Sequence, residues 1–393
     1  MLPERLRGAG PPRPQCPPAR APRTAPYTRG RTMAQGATQM GSIRYWAVAV
    51  LLSGAAGAAD TVLAQPANGM DGSLSVADYI QAEQAGGLGP NKRAAISSFV
   101  VQFVRDQGIE RDAGSFGMFQ GKSATYFTQV RGADDALLQA VADKLYDNFA
   151  AALKAAGVEL VPQAELEATP EFQEIRKVSP KPPLVEALET GARKDKHMAV
   201  NVLVTAKGLP LVTYGVVDKK WLPAQASGIG ALQAVALGSA TAAKSLQAPL
   251  LNLRLTVAMV EQKGKGWGSS AQFGNLVHKT ANWQFESDPL PRYVDGGTLL
   301  MVHGVNLSGL PSSKNVLTLV KPVAITGLQL TAEKGEGVSA RGSGLLGAIG
   351  RAAGGTDQAA DAYLDIVPAN FSSRLTEGGT KVLELFATAL AQP

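Results

Sequence analysis

Residues 92–104 read KRAAISSFVVQFV, and this stretch decides the fold. Ala95, Ser97, Phe99, Val101 and Phe103 alternate with Ala94, Ile96, Ser98, Val100 and Gln102. A period of two, carried by β-branched and aromatic residues, predicts a strand with one strongly apolar face. After it comes Asp134–Ala156, where Leu138, Val141, Leu145, Phe149 and Leu153 recur at helical spacing. Asp134 or Asp135 is placed to cap its start and Gly157 to close its end. Val158–Val161 then reads as a short strand stopped by Pro162, and Thr169-Pro170-Glu171 opens a second helix with Pro at its first position. Strand, helix, strand, helix is the signature of helices layered on a sheet.

Farther along, Thr125–Val130 reads as a strand after a Gly-containing loop. Ser179–Pro183 breaks the chain, and Ala199–Thr205 and Leu209–Val217 read as paired strands around Gly208. Gly228–Leu246 is Ala-rich, either a helix or a small-residue loop. Leu251–Val260 is a strand with Leu253, Leu255, Val257 and Met259 on one side and Asn252, Arg254 and Thr256 on the other. Thr298–His303, Val316–Val320, Val323–Leu330 and Tyr363–Val367 are further strands. Phe371–Ala391 closes the chain as a helix interrupted at Gly378-Gly379. The expected class is α/β or α+β: a mixed sheet with packed helices, a β-rich C-terminal part and a closing C-terminal helix. The divisions expected are a leader over 1–64, an N-terminal arm over 65–91, an α/β module over 92–260 and the β-rich part over 261–393.

The leader has its own logic. Arg44 precedes the 13 residues Ala47–Ala59, which are apolar or small and too short to span a bilayer as a helix. Val62 and Ala64 then stand at −3 and −1 of a cleavage site before Gln65, as in a secretory signal peptide. Residues 1–32, dominated by Pro, Arg, Gly and Ala, read as upstream of the true start, with Met33 and Met40 as better initiators, so that the mis-assigned part reaches 39 if Met40 is the start. The expected destination is the periplasm or the exterior, with no transmembrane segment after cleavage.

Charge follows the same division. The net charge is +6, but eight arginines and only Glu4 and Asp60 lie in residues 1–64, which leaves 30 basic and 30 acidic residues from Gln65 onward. Without a basic run in that part, nucleic acid is not an expected partner. The one cysteine, Cys16, also lies in the leader, which excludes thiol catalysis and cysteine metal ligands in a mature chain.

The segment Lys92–Phe99, the helix through Leu137–Leu153, Gly157–Val161 and the Leu251–Val260 strand together resemble bacterial envelope proteins of the curli-secretion CsgG type. They also resemble related α/β modules of flagellar and peptidoglycan-synthase accessory proteins. The resemblance implies helices on a mixed sheet and a structural or assembly role without catalysis. CsgG-type proteins are lipoproteins with a cysteine at the mature N-terminus; Gln65 stands there in this chain, so what carries over is the soluble module.

Candidate chemistry is sparse. Gly342-Ser-Gly344-Leu-Leu-Gly347 fits a dinucleotide fingerprint but follows loop-like residues instead of a strand. Leu345, Leu346 and Ile349 in the same segment are candidates for contact with a partner or a surface. Gly117–Ser123 is one residue short of a phosphate-binding loop. His197, His278 and His303 share no metal-ligand spacing, and no Gly-x-Ser-x-Gly elbow marks a hydrolase. Asp134, Asp135 and Asp143 are better explained by the helix start. Trp267, Phe273, Trp283 and Phe285 lie among Gly, Ser and Asn; they suit either stacking on a sugar or partner, or a hairpin core. No cofactor, metal site or catalytic set is read from the sequence. The expected function is a non-catalytic accessory or assembly role in the envelope, binding an envelope protein or cell-wall component and self-associating. The alternatives are a periplasmic binder with an apolar pocket between the sheet and Gly228–Leu246, or an exported hydrolase.

Overall fold

The computed structural model describes residues 60–63, 74–83, 88, 92–112, 123–192, 195–212, 228–273, 276–303, 316–334 and 358–392. In chain order the first elements are β1 (Asp60–Leu63), α1 (Val76–Tyr79), β2 (Ile80–Glu83), β3 (Arg93–Asp112), β4 (Ser123–Arg131), α2 (Asp135–Ala155) and β5 (Glu159–Leu160). Next come α3 (Gln163–Glu167), α4 (Pro170–Val178), β6 (Leu184–Ala192), β7 (Asp195–Thr205), a 3-10 turn (Ala206–Gly208), α5 (Gly228–Leu246), β8 (Leu250–Phe273) and β9 (Leu276–Tyr293). The chain ends with β10 (Leu299–His303), β11 (Val316–Leu319), β12 (Val323–Ala324), β13 (Gln329–Lys334), β14 (Gln358–Ile366) and α6 (Pro368–Ala391). Thirteen of these strands join one mixed sheet, and β5 pairs only with Arg93 and Ala94 of β3.

β3 is the axis of the sheet. Along its first half it lies parallel to β8, from Ala95 opposite Leu250 to Val104 opposite Ala258. Along its second half that same edge takes β4 instead, antiparallel, from Asp106 opposite Gln129 to Asp112 opposite Ser123. Its other edge carries β7 from Val100 to Arg111. Beyond β8 the sheet continues through β10, β11 and β2; beyond β4 it continues through β14, β13 and β1.

The apolar side of the KRAAISSFVVQFV strand does what its pattern dictates. Phe99, Val101 and Phe103 join Val202, Val204, Leu253, Leu255 and Val257 in the main core. Over them lie α2, through Leu138, Val141, Leu145, Phe149 and Leu153, and α6, through Phe371, Leu375, Val382, Leu383 and Phe386. The Phe99 ring meets Tyr146 edge-on at 5.7 Å and Phe149 at 6.0 Å. Burying each such aromatic side chain contributes about 2–3 kcal/mol. Asp134 caps α2 by accepting from Leu137 N at 2.8 Å, and Gly157, at φ +81°, ends it with a bond from Val158 N to Leu153 O.

Several local expectations are corrected. The strand begun at Lys92 does not end at Val104. A bulge at Arg105 carries it on to Asp112, and Gly108 is tolerated because the Phe127 ring occupies the space a side chain would need. The partner of β7 on this side is Leu184–Ala192, paired with Asp195–Leu203; of the strand expected over Leu209–Val217, residues 209–212 are not in a strand and residues 213–217 lie outside the described residues. Lys207 (φ 51°) and Gly208 (φ 70°) turn the chain out of the sheet, so that residues 209–212 cross its second face. Val323–Leu330 is split by Gly327 (φ 70°) into β12 and the start of β13. Thr169 precedes α4 as expected, yet its hydroxyl donates to Leu166 O at 2.8 Å instead of capping the helix. Leu276–Tyr293 forms one long strand, whereas the pattern left it unassigned.

The closing helix is also continuous. Gly378 and Gly379 are buried within α6, where a methyl group on Gly379 would collide with Leu145 of α2 and the Tyr293 hydroxyl of β9. The missing side chain therefore lets three elements close on one point, and Tyr293 Oη there donates to Leu375 O at 2.6 Å. Gly379→Ala is expected to lower the unfolding free energy by about 2 kcal/mol or more, because overpacking forces the neighbours apart. Urea denaturation reads this as a lower midpoint with an unchanged slope; an unchanged midpoint would mean that α6 does not approach this closely.

Candidate functional site

Strand direction along the sheet has one consequence for position. β3, β6, β8 and β13 all run the same way, and each is followed by an antiparallel partner: β4, β7, β9 and β14. Four hairpins therefore point to the same end of the sheet. Their connections, residues 113–122, 193–194, 274–275 and 335–357, lie outside the described residues.

The level at which these hairpins leave the core is marked twice. β3 shifts register between Val104 and Asp106, and β8 shifts between Ala258 and Val260. Val104 and Ala258 face each other across the parallel ladder. Adjacent bulges bend both strands at one height, and it is there that β4 replaces β8 beside β3. Polar groups collect at this level. Arg105 Nε lies 3.3 Å from Asp106 Oδ2; burial holds the Asp106 carboxyl above its usual range, partly offset by that guanidinium. Arg292, one residue before the end of β9, donates to Leu290 O at 2.9 Å. Burial lowers its pKa, partly offset by the charges of Glu261 and Asp295.

The longest hairpin is β8–β9. From Val260 to Phe273 its outgoing strand extends about 45 Å at the usual strand rise. Register sorts its residues. Gly264 faces Phe285, Gly266 faces Trp283, Gly268 faces Ala281 and Gln272 faces Val277, all on one side. Lys263 faces Glu286, Lys265 faces Gln284, Trp267 faces Asn282, Ser269 faces Thr280 and Phe273 faces Leu276 on the other. Polar pairs stand on both sides, Ser270 opposite Lys279 on the first and Lys263 opposite Glu286 on the second. The four aromatics singled out in the sequence are therefore divided: Trp283 and Phe285 share one side, Trp267 and Phe273 the other.

The remaining candidates are dispersed. Leu345, Leu346 and Ile349 lie outside the described residues, as do the dinucleotide-like segment and most of the Gly117–Ser123 loop, whose last residue begins β4. Asp134 caps α2. Asp143 accepts from Lys207 N at 2.7 Å and Gln139 Nε2 at 3.0 Å, which ties the 3-10 turn to α2. His197 is exposed on β7 and His303 is buried at the end of β10. Among the described residues no three His, Cys, Asp or Glu side chains form a metal-binding group. No helix among them is long and apolar enough to cross a membrane.

One group escaped the sequence reading. Asn252, Arg254 and Thr256 alternate with the leucines of β8, a pattern that reads as a solvent face. The structure buries all three, and Arg254 is 3% exposed. The second face of the sheet is itself covered: Leu211 packs with Val100 and Leu203, and Ser98 Oγ donates to Pro210 O at 2.9 Å. The signal that could have found it is position, since β8 lies between β3 and β10 and both its faces are inside.

Comparison with known proteins finds no matching family model, no matching curated protein and no matching solved structure.

His303 supplies a titration test of this interior. Burial alone pushes its pKa down from 6.5 to about 4. The unfolded chain then binds a proton that the folded chain refuses between these values, so the contribution is present above pH 6.5 and is lost as pH falls towards 4. A difference of this size is worth on the order of 3 kcal/mol. In urea titrations across that window, His303→Asn is expected to lose less stability than the parent by about this amount. Parallel curves would place His303 in contact with water.

Proposed function

We propose that this chain is an exported bacterial envelope protein with a non-catalytic assembly role, which joins copies of itself edge to edge through its hairpins. The observation that carries the reading is the array of four hairpins sent to one end of the sheet from a helix-covered body. An array of this kind offers backbone hydrogen bonds, not a reactive centre. Asp134 and Asp143, two of the candidate polar side chains, have structural duties instead.

The outer edges are the contact surfaces. β6 pairs with β7 on one side and with no other strand among the described residues on the other. The opposite edge ends in β1, which pairs with β13. Cleavage before Gln65 would remove β1 and leave β13 as the edge strand of the exported chain. An open strand edge is a template for pairing with another chain. Two unlike edges make a head-to-tail contact, which closes into a ring or extends as a filament. The resemblance to CsgG-type envelope proteins, and the basic-then-apolar segment ending at Ala64, support the envelope setting.

Two measurements test the reading. The protein recovered from the envelope fraction is expected to begin at Gln65 by intact mass; an uncut chain in the cytosol would remove the basis for export. Light scattering on the purified protein is expected to give a mass several times that of one chain. Counting back from the Ala192–Asp195 pair that closes the two-residue hairpin, the N–H of Ala187 points away from β7. Ala187→Pro therefore removes a donor from the open edge without breaking the hairpin. It is expected to shift the protein towards monomer at an unchanged circular dichroism spectrum. A parent protein that is already monomeric would overturn the proposal.

A further inference from the structure

Arg254 lies in the middle of the sheet. Its row runs from Thr205 on β7 through Val100 on β3 and Arg254 on β8 to Leu299 on β10 and Thr318 on β11. The residue is 3% exposed, and its Nε, Nη1 and Nη2 atoms are all buried without a hydrogen-bond partner among the described residues. No Asp or Glu stands in its row, or in the rows on either side, on β7, β3 or β10. Burial lowers its pKa to about 10, so the guanidinium still carries its charge at neutral pH. Deprotonation does not relieve the strain of an unpaired buried cation. A second donor nearby is in the same condition: Thr205 Oγ1 is buried and without a partner, in the same row across Val100.

A guanidinium presents five N–H donors in a planar fork, which matches two oxygens of a carboxylate or phosphate. We infer that Arg254 is the receptor of a small oxyanion, a carboxylate or phosphate group, with the Thr205 hydroxyl as an accessory donor. Arg254 sits on the covered face of the sheet, below the level at which the hairpins depart. The inference therefore does not rest on the assembly proposed above.

The test is a thermal titration of the full protein at constant ionic strength, with inorganic phosphate in one arm, acetate in another and chloride as reference. The expected result is a saturable rise in Tm, on the order of 5 °C at high excess, with at least one oxyanion over chloride. The arm that gives it identifies the ligand as phosphate or carboxylate. Arg254→Met is expected to abolish the rise, and also to be as stable as the parent in chloride, because an apolar side chain of similar length removes the buried charge. Thr205→Val is expected to keep a rise that needs several-fold more anion. If neither oxyanion raises the parent's Tm above chloride, or if Arg254→Met responds as the parent does, the inference fails. Should Arg254→Met not fold, the parent and Thr205→Val titrations decide alone: equal half-saturation in the two would remove Thr205 from the site, and no saturation in either would remove the site.

Discussion

The exchange of partners along β3 is the constraint on which the rest of the structure depends. A twenty-residue strand cannot keep one neighbour along its length unless that neighbour follows its twist. Here the parallel β8 leaves at Ala258, opposite the bulge after Val104, and β4 takes its place. Below this level the sheet is sandwiched, its first face under α2 and α6 and its second under the 209–212 segment. Above it, the strands continue as hairpins. The body and the array are thus two uses of the same strands. The height of the bulges decides how much of each strand is core.

The body can support the array because its base is pinned from the helical side. Tyr293 ends β9 and sends its hydroxyl into α6, while Gly379 lets α6 settle against both Tyr293 and Leu145. One contact therefore ties the longest hairpin to the closing helix and to the central helix. Arg93 does a similar task at the other end, donating to Leu246 O and to Glu165 and so fixing α5 and α3 to the start of β3. Asn148 and Thr380 add a side-chain bond between α2 and α6 at 2.7 Å. These ties run between elements far apart in sequence, and they hold the strand bases in register.

Legibility in the sequence followed burial. α2 and the first half of β3 could be read because each buries one face against a thick core, which forces an apolar period. The second half of β3 and all of β9 could not. Their ladder is made by backbone pairing whatever the side chains, so Asp, Gly, Gln and Lys stand within it and the period fades. β6 was missed for a related reason: Leu184–Ala192 acquires its strand character from β7, and Pro182-Pro183 just before it read as the start of a loop. Register was beyond reach altogether. Four aromatics between Trp267 and Phe285 looked like one cluster until pairing placed two on each side of the hairpin.

Arg254 marks the opposite failure, and it bears on function. Alternation told apart the two sides of β8 correctly, but not which side faces water, because a strand with partners on both edges and layers on both faces has no outside. In such a strand a polar residue must be explained by a partner. Asn252 has one in Ser97, and Thr256 has one in Gly297 O at 2.8 Å. The acids that looked catalytic are accounted for in the same way, Asp134 by a helix start and Asp143 by a turn. Arg254 has no such partner among the described residues, and the Thr205 hydroxyl and the Asn201 amide on the same face of the sheet are buried without one as well, so the unmet polar groups of this interior gather on the covered second face.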